Sequence, residues 1–110
     1  MISSTGTEKK LYHQAWKRWG PASQLTQLSE ECAEVIQAVC KILNYPKEDR
    51  LEQLAEELAD ASLVMEQVTY CLGLEERINV WRERKKAKLE SLLNASRQRL
   101  SAASCGRKHD

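Results

Sequence analysis

Four acidic side chains in the middle of the chain have the types and the spacing that metal chemistry requires. Glu31 and Glu34 form one pair, three residues apart. Glu57 and Asp60 form a second pair with the same spacing. Such spacing puts both carboxylates of a pair on one side of an α-helix. If the two helices lie side by side, the two pairs can converge on one place.

The positions of these acids on their helices are unusual, because surface acids normally lie opposite the apolar stripe. Counting about 100° per residue from Leu28, Glu31 falls at roughly −60°, inside the apolar arc of its helix. Counting from Leu58, Glu57 falls at roughly −100°, also among apolar neighbours. Burying unpaired carboxylates is costly, and ionised acids crowded together repel one another. A hard divalent cation with oxygen ligands removes this conflict, so the pattern predicts a metal site.

The net charge of +1 favours no class of partner, but the charges are unevenly distributed. Residues 30–66 carry ten acids and three bases, whereas residues 77–99 carry eight bases and two acids. An acidic centre and a basic last helix suit a ligand that carries both metal ions and phosphates. The two segments could equally pair with each other, and the charge distribution leaves both interpretations open.

The composition predicts an all-α protein, since only 4 of 110 residues are Gly and 2 are Pro, and good helix formers dominate. Apolar periodicity predicts helices over residues 7–18, 22–44, 47–72 and 75–100. Short connections favour antiparallel neighbours, and therefore a four-helix bundle-type domain over residues 7–100. Residues 1–6 are expected to form a flexible leader and residues 101–110 a disordered tail.

The remaining features concern assembly and location. Cys40 and Leu63 fall outside the main apolar stripes, which predicts a second buried surface and hence an oligomer. The four cysteines contain no CxxC pair, which favours free thiols in a reduced, cytoplasmic setting. They are Cys32, Cys40, Cys71 and Cys105. No apolar run approaches the roughly 18 residues of a membrane span, so no membrane association is expected.

The two acidic motifs and the segment before them resemble a known group of enzymes. Residues 30–34 are EECAE and residues 57–60 are ELAD. Together they resemble the EExxE…ExxD pattern of the all-α NTP pyrophosphatase superfamily, which includes MazG-like proteins, dimeric dUTPases, dCTP pyrophosphatases and phosphoribosyl-ATP pyrophosphohydrolases. Residues 16–25, WKRWGPASQL, look like short single-domain MazG-like proteins, including phage ones. The resemblance covers roughly residues 12–93.

This resemblance implies a MazG-like four-helix fold that assembles as a homodimer or homotetramer. It implies a nucleotide pyrophosphohydrolase that cleaves a nucleoside triphosphate to the monophosphate and pyrophosphate, in nucleotide-pool house-cleaning. The implied cofactor is Mg²⁺, with Mn²⁺ as a substitute. The catalytic residues and metal ligands would be Glu31, Glu34, Glu57 and Asp60.

The resemblance also indicates substrate contacts. Trp16 and Trp19 stand where related enzymes place aromatic residues against the base, although two tryptophans so close together also suit a core or interface anchor. Arg84, Lys85 and Lys88 on the last helix are candidates for holding phosphates. Lys41, two turns after Glu34 on a nearby side of the helix, is a further candidate.

Two non-enzymatic alternatives would use the same helices. The basic fourth helix could bind nucleic acid, with a steep salt dependence, or the fold could serve only as a dimerisation module. Neither alternative needs the four acids. Because all four are present, the enzyme is favoured and polynucleotide binding is not expected.

Overall fold

The chain is helical apart from short connections. The computed structural model describes residues 5–45 and 49–108, with side chains through residue 103. Within these ranges there are four helices and no strand: α1 (Gly6–Trp19), α2 (Pro21–Asn44), α3 (Asp49–Cys71) and α4 (Glu75–Lys108). The all-α prediction is therefore confirmed for this part of the chain.

Local sequence signals set where α1 begins and ends. Thr5 Oγ1 accepts the Glu8 N–H and the Glu8 carboxylate accepts the Thr5 N–H, both at 3.1 Å, which forms a capping box. The cap satisfies amides that the first turn leaves unpaired, so α1 begins at Gly6 rather than residue 7. Only residues 1–4 of the predicted leader lie outside the described residues. At the other end, Gly20 has φ 84° and breaks the helix before α2.

The turn between α3 and α4 is specified by a glycine. Gly73 has φ 64°. Its N–H donates to Tyr70 O at 3.1 Å, and the Leu74 N–H donates to Thr69 O at 2.9 Å. This pair of hydrogen bonds is the Schellman motif, which needs a left-handed residue at the position after the helix.

One predicted helix bound is wrong, and another lies outside the described residues. Helix α4 continues to Lys108 instead of ending at residue 100, so the predicted disordered tail is helical through Lys108. The reason is that Ser101 to Ser104 lack apolar periodicity but contain no helix breaker, and loss of periodicity alone does not end a helix. The predicted start of the third helix at Lys47 lies outside the described residues, whereas α3 is described from Asp49.

Helices α1 to α3 share a small core. α2 packs most extensively against α3, and α1 packs mainly on α3. The Tyr12 hydroxyl donates to Glu66 Oε2 at 2.6 Å, which ties α1 to α3. The buried apolar side chains among the described residues are Tyr12, Ala38, Ala61, Val64 and Val68. None of these is fully buried, so a large apolar surface stays exposed on the three helices.

The contacts divide the chain into two units, Met1–Glu75 and Glu76–Asp110. The first contains α1, α2 and α3. The second is the long helix α4, on which Trp81, Leu89, Leu92 and other apolar side chains are exposed. The bundle-type arrangement of four helices and the MazG-like fold stay predictions.

Candidate metal centre

Helices α2 and α3 bring the four predicted ligands together. Each of Glu31, Glu34, Glu57 and Asp60 offers one carboxylate oxygen, and these four atoms all lie within 4.8 Å of one another. The connection between α2 and α3 is short, so the two helices run antiparallel while they pack together. The i, i+3 spacing on each helix then aims both pairs at the same place.

In two of the four acids, one carboxylate oxygen is buried and has no hydrogen-bond partner among the described residues. Glu31 Oε2 and Glu57 Oε2 are buried, and neither accepts a hydrogen bond within the described part of the chain. The residues themselves are half-buried, whereas Glu34 and Asp60 are exposed. An unsatisfied buried carboxylate oxygen is expensive. These two atoms are therefore the strongest sign that a positively charged ligand belongs here.

The protonation behaviour of two acids reflects the crowding. Burial raises the pKa of Glu31 above its ordinary value of 4.5, and the negative charge of Glu34 raises that pKa further. The pKa of Glu34 is also raised, first by a hydrogen bond shared with Glu57 and then by the charge of that carboxylate. Among the described side chains, no Lys, Arg or His nitrogen lies within 4.0 Å of these acids to offset their charge.

The donor set fits a hard divalent cation. All four ligands are carboxylate oxygens, which suit Mg²⁺, Mn²⁺ or Ca²⁺ rather than a soft metal. Opposite ligands of one ion are separated by about 4.2 Å for Mg²⁺ and about 4.8 Å for Ca²⁺, twice the metal–oxygen distance. Four carboxylate oxygens within 4.8 Å of one another are close enough for one divalent cation of either kind to contact them together.

A hydrogen bond from the neighbouring turn of α2 orients Glu31. The Gln27 Nε2 group donates to Glu31 Oε1 at 2.9 Å. Because Oε1 is held in this way, the buried Oε2 is left as the free acceptor of Glu31. An outer partner of this kind fixes the orientation of a metal ligand.

Gln27 also lines a polar cavity of about 440 Å³ beside the acids. The aromatic wall of this cavity is Trp19, which is 62% exposed. Side-chain amides and a hydroxyl supply donors and acceptors. The other lining residues are Ser23, Gln24, Val64 and Gln67. An indole face surrounded by amides can receive a flat polar ring.

The other predicted substrate residues belong to α1, α2 and α4. Trp16 is half-buried on α1, and Lys41 is exposed on α2, about 10 Å of helix rise beyond Glu34. Arg84 and Lys85 lie on α4 with their charged groups 4.9 and 5.9 Å from the Trp81 ring centre. The third predicted base of that helix, Lys88, is exposed.

Sequence reasoning missed two glutamines of α2, Gln24 and Gln27, and signals for both existed. Gln27 stands four residues before Glu31, a spacing at which an amide reaches a carboxylate. Gln24 is only 6% exposed. Counted from Leu28 it falls at about −40°, inside the apolar arc. The helical-wheel test that singled out Glu31 would have singled out Gln24 as well.

Comparison with family models, curated proteins and solved structures finds no significant match to this chain. No helix among the described residues is both long enough and apolar enough to cross a membrane.

Proposed function

We propose that this chain is a Mg²⁺-dependent nucleoside triphosphate pyrophosphohydrolase of the all-α, MazG-like type. The observation that carries the proposal is the convergence of four carboxylates with two buried, unpartnered oxygen atoms. Solvated surface acids would have no reason to hold such atoms away from water. The motif resemblance supplies the reaction, which is cleavage of a ribo- or deoxyribonucleoside triphosphate to the monophosphate and pyrophosphate.

In this proposal Glu31, Glu34, Glu57 and Asp60 hold the Mg²⁺, and Mn²⁺ can replace it. When bound, the metal neutralises charge on the triphosphate and makes a nearby water more acidic. The water oxygen attacks the α-phosphorus, the bond to the bridging oxygen breaks, and pyrophosphate leaves. Glu34 is the proposed acceptor of the water proton, because its carboxylate is exposed, whereas Glu31 Oε1 already accepts a hydrogen bond from Gln27.

The polar cavity beside the acids is the proposed place for the nucleobase. Trp19 offers a face for stacking, worth about 1–3 kcal/mol per base. Buried Gln24 and the amide of Gln67 can donate to and accept from the edge of the ring. Trp16, one turn earlier on α1, is the second aromatic candidate for contact with the base. The candidates for the triphosphate are Lys41, Arg84, Lys85 and Lys88.

Assembly and location complete the proposal. The enzyme acts as a homodimer or homotetramer in the cytoplasm, in house-cleaning of the nucleotide pool. Cys32, Cys40 and Cys71 are free thiols, in keeping with a reducing compartment.

The test is pyrophosphate release from a panel of canonical and modified nucleotides in the presence of Mg²⁺ or Mn²⁺. We expect release from at least one nucleotide, and we expect a chelator and the Glu57→Gln substitution each to abolish it. Glu56→Gln is the matched control, because Glu56 is the adjacent acid on the exposed side of α3.

Absence of release from every nucleotide by folded, metal-loaded protein would overturn the enzymatic proposal. Salt-sensitive polynucleotide binding that is lost when Arg84, Lys85 and Lys88 are neutralised would then favour the nucleic-acid-binding module. Assembly without either activity would favour the dimerisation module.

A further inference from the structure

A second cavity, which we call the apolar pocket, lies between α1 and α3. Its volume is about 570 Å³, within the range of about 300–1,000 Å³ that is typical of small-molecule sites. The apolar walls are Leu11, Ala15 and Trp19 from α1 and Leu63 from α3. Three of these side chains are large and open to solvent, since Leu11 is 59%, Trp19 is 62% and Leu63 is 51% exposed. Exposed apolar side chains that surround a cavity mark a place where a ligand can bind.

Tyr12 adds a second aromatic ring to the lining of the apolar pocket. Its hydroxyl lies 3.3 Å from Glu8 Oε2 and 2.6 Å from Glu66 Oε2, and neither acid lines the pocket. Because the hydroxyl is engaged with carboxylates, the apolar ring is the part of Tyr12 that a ligand would meet. Two aromatic rings and two leucines suit a flat or extended apolar body.

The polar residues that line the apolar pocket carry a single charge, and it is positive. These residues are Gln14, Arg18 and Gln67, and no acid among the described side chains joins them. Arg18 is exposed, and no carboxylate of a described side chain lies within 4.0 Å of its guanidinium. The pocket therefore offers one unpaired guanidinium beside an apolar surface.

We propose that the apolar pocket binds a small amphipathic carboxylate, with its apolar body against the walls and its charged group on Arg18. A guanidinium presents parallel N–H donors that match the two oxygens of a carboxylate. The amides of Gln14 and Gln67 can donate to the same group. One positive charge balances one carboxylate, whereas a phosphate group carries about two negative charges.

The apolar pocket borders the polar cavity that is proposed to hold the base. Trp19 and Gln67 line both cavities. Around α3, Gln67 falls about 40° from Leu63, and Val64 falls about 100° from it in the same direction. Gln67 therefore stands between the wall of one cavity and the wall of the other. None of the four metal ligands lines the apolar pocket, so its ligand can be studied without metal or nucleotide.

The test is titration calorimetry of the full chain with naphthalene-2-carboxylate at low ionic strength, in a chelator. Two analogues keep the ring system and change the charge: naphthalene-2-methanol is neutral, and naphthalen-2-ylmethylammonium is cationic. We expect one carboxylate to bind per chain, about fivefold more tightly than the alcohol, which is the upper end for an exposed ion pair. We expect the cation to bind more weakly than the alcohol. Absence of saturable binding, or equal affinity for all three compounds, would overturn the proposal.

The role of Arg18 is tested with its neighbour as the matched control. Arg18 and Lys17 both lie in the last turn of α1, where any base interacts favourably with the helix dipole. Only Arg18 lines the apolar pocket. We expect Arg18→Gln to lower the affinity for the carboxylate to that for the alcohol, and Lys17→Gln to leave both affinities unchanged. Equal losses in the two variants would mean that the charge of the helix end, and not the pocket, attracts the anion.

The apolar wall is tested with two leucines of α3. Leu63 is 51% exposed and Leu58 is 48% exposed, but they lie about 140° apart around the helix. We expect Leu63→Gln to weaken binding of the carboxylate and of the alcohol about fivefold each, and Leu58→Gln to weaken neither. Both positions are exposed, so both variants should keep the helical circular dichroism of the protein. Unchanged affinity in folded Leu63→Gln would place the ligand elsewhere and contradict the inference.

These results are separate from those on hydrolysis. Binding without nucleotide turnover would support the apolar pocket while the proposed enzyme activity fails. Nucleotide turnover without carboxylate binding would overturn the apolar pocket alone.

Discussion

The metal centre and the apolar pocket depart from normal helix patterning in opposite ways. At the metal centre, acidic groups are placed among apolar neighbours, and two of their oxygen atoms are buried. In the apolar pocket, the large apolar side chains of Leu11, Trp19 and Leu63 are exposed. Acids usually face water and apolar groups usually face the core. Each region is therefore unfavourable in the isolated chain, and each becomes favourable when a different kind of partner is bound.

The chemistry of each departure indicates its partner. Crowded carboxylates need positive charge, which a divalent cation supplies. An apolar pocket with one unpaired guanidinium needs an apolar body and one negative charge, which an amphipathic carboxylate supplies. None of the four acids lines the apolar pocket, so the two partners need not compete. This independence can be tested by altering one region at a time.

The largest expected effect comes from removing a ligand at the metal centre. We expect Glu31→Gln to lower the rate of nucleotide hydrolysis at least about 100-fold, since loss of a ligand should exceed the 10–100-fold effect of losing its outer partner. Glu30→Gln, a change in the adjacent exposed acid, should stay within about threefold of the unmodified protein. Initial rates at saturating Mg²⁺ measure both. Equal losses in the two variants would mean that the buried position of Glu31 has no special role.

The next effect concerns the residue that orients a ligand. Gln27→Ala removes the donor to Glu31 Oε1, and we expect Mg²⁺ affinity to fall about tenfold. Isothermal titration calorimetry measures this, with Gln37→Ala, an exposed glutamine on the same helix, as the control. Unchanged affinity in Gln27→Ala would show that this hydrogen bond does not position the carboxylate.

A smaller effect is expected when only the apolar pocket is changed. Leu11→Gln should weaken binding of naphthalene-2-carboxylate about fivefold. It should leave Mg²⁺ affinity within about threefold, because α1 supplies none of the four acids and independent sites contribute almost additively. Titration calorimetry with each ligand on the folded variant checks both values. A loss of metal binding that accompanies the loss of carboxylate binding would mean that the two regions are coupled, and the comparison would then fail.

The smallest effect is a pH dependence of the metal-free protein. The pKa of Glu31 is raised in the folded state, so the folded chain binds this proton more tightly than the unfolded chain. The resulting stabilisation is complete below the ordinary value of 4.5 and is lost as pH rises through the raised pKa. We therefore expect the free energy of unfolding to fall with rising pH more steeply in the unmodified protein than in Glu31→Gln.

Urea unfolding in a chelator, at a series of pH values, measures this difference between the two proteins. Comparing the variant with the unmodified chain removes the contributions of the other carboxylates. Saturating Mg²⁺ should reverse this pH dependence in the unmodified protein, because metal binding requires the ionised carboxylate of Glu31. Parallel pH profiles in the absence of metal would contradict the electrostatic account of the centre.

Much of the fold could be predicted from local signals. Gly20, Pro21 and Gly73 stand at the helix breaks, because a left-handed glycine or a first-turn proline acts within a few residues. The end of α4 could not be predicted in the same way. Residues 101–105 have neither an apolar pattern nor a helix breaker, and Gly106 does not end the helix, so their sequence is compatible with helix and with coil.

The candidate site was predictable only in part. The positions of Glu31 and Glu57 on the helical wheel are enough to identify them, because both acids fall among apolar neighbours. The cavity beside them was not predictable, since Trp19, Gln24 and Gln67 come from three helices. Their proximity depends on how α1 and α2 pack against α3.

The order of residues alone specifies the helices, their approximate ends and which side of each central helix carries the acids. These properties follow from residue type and from the fixed rotation per residue of an α-helix. Three further properties arise only from tertiary packing. The two acidic pairs meet, two of their oxygen atoms are buried without partners, and α1 and α3 together line the apolar pocket. All three depend on the azimuth at which two helices pack, and one-dimensional spacing does not specify that azimuth.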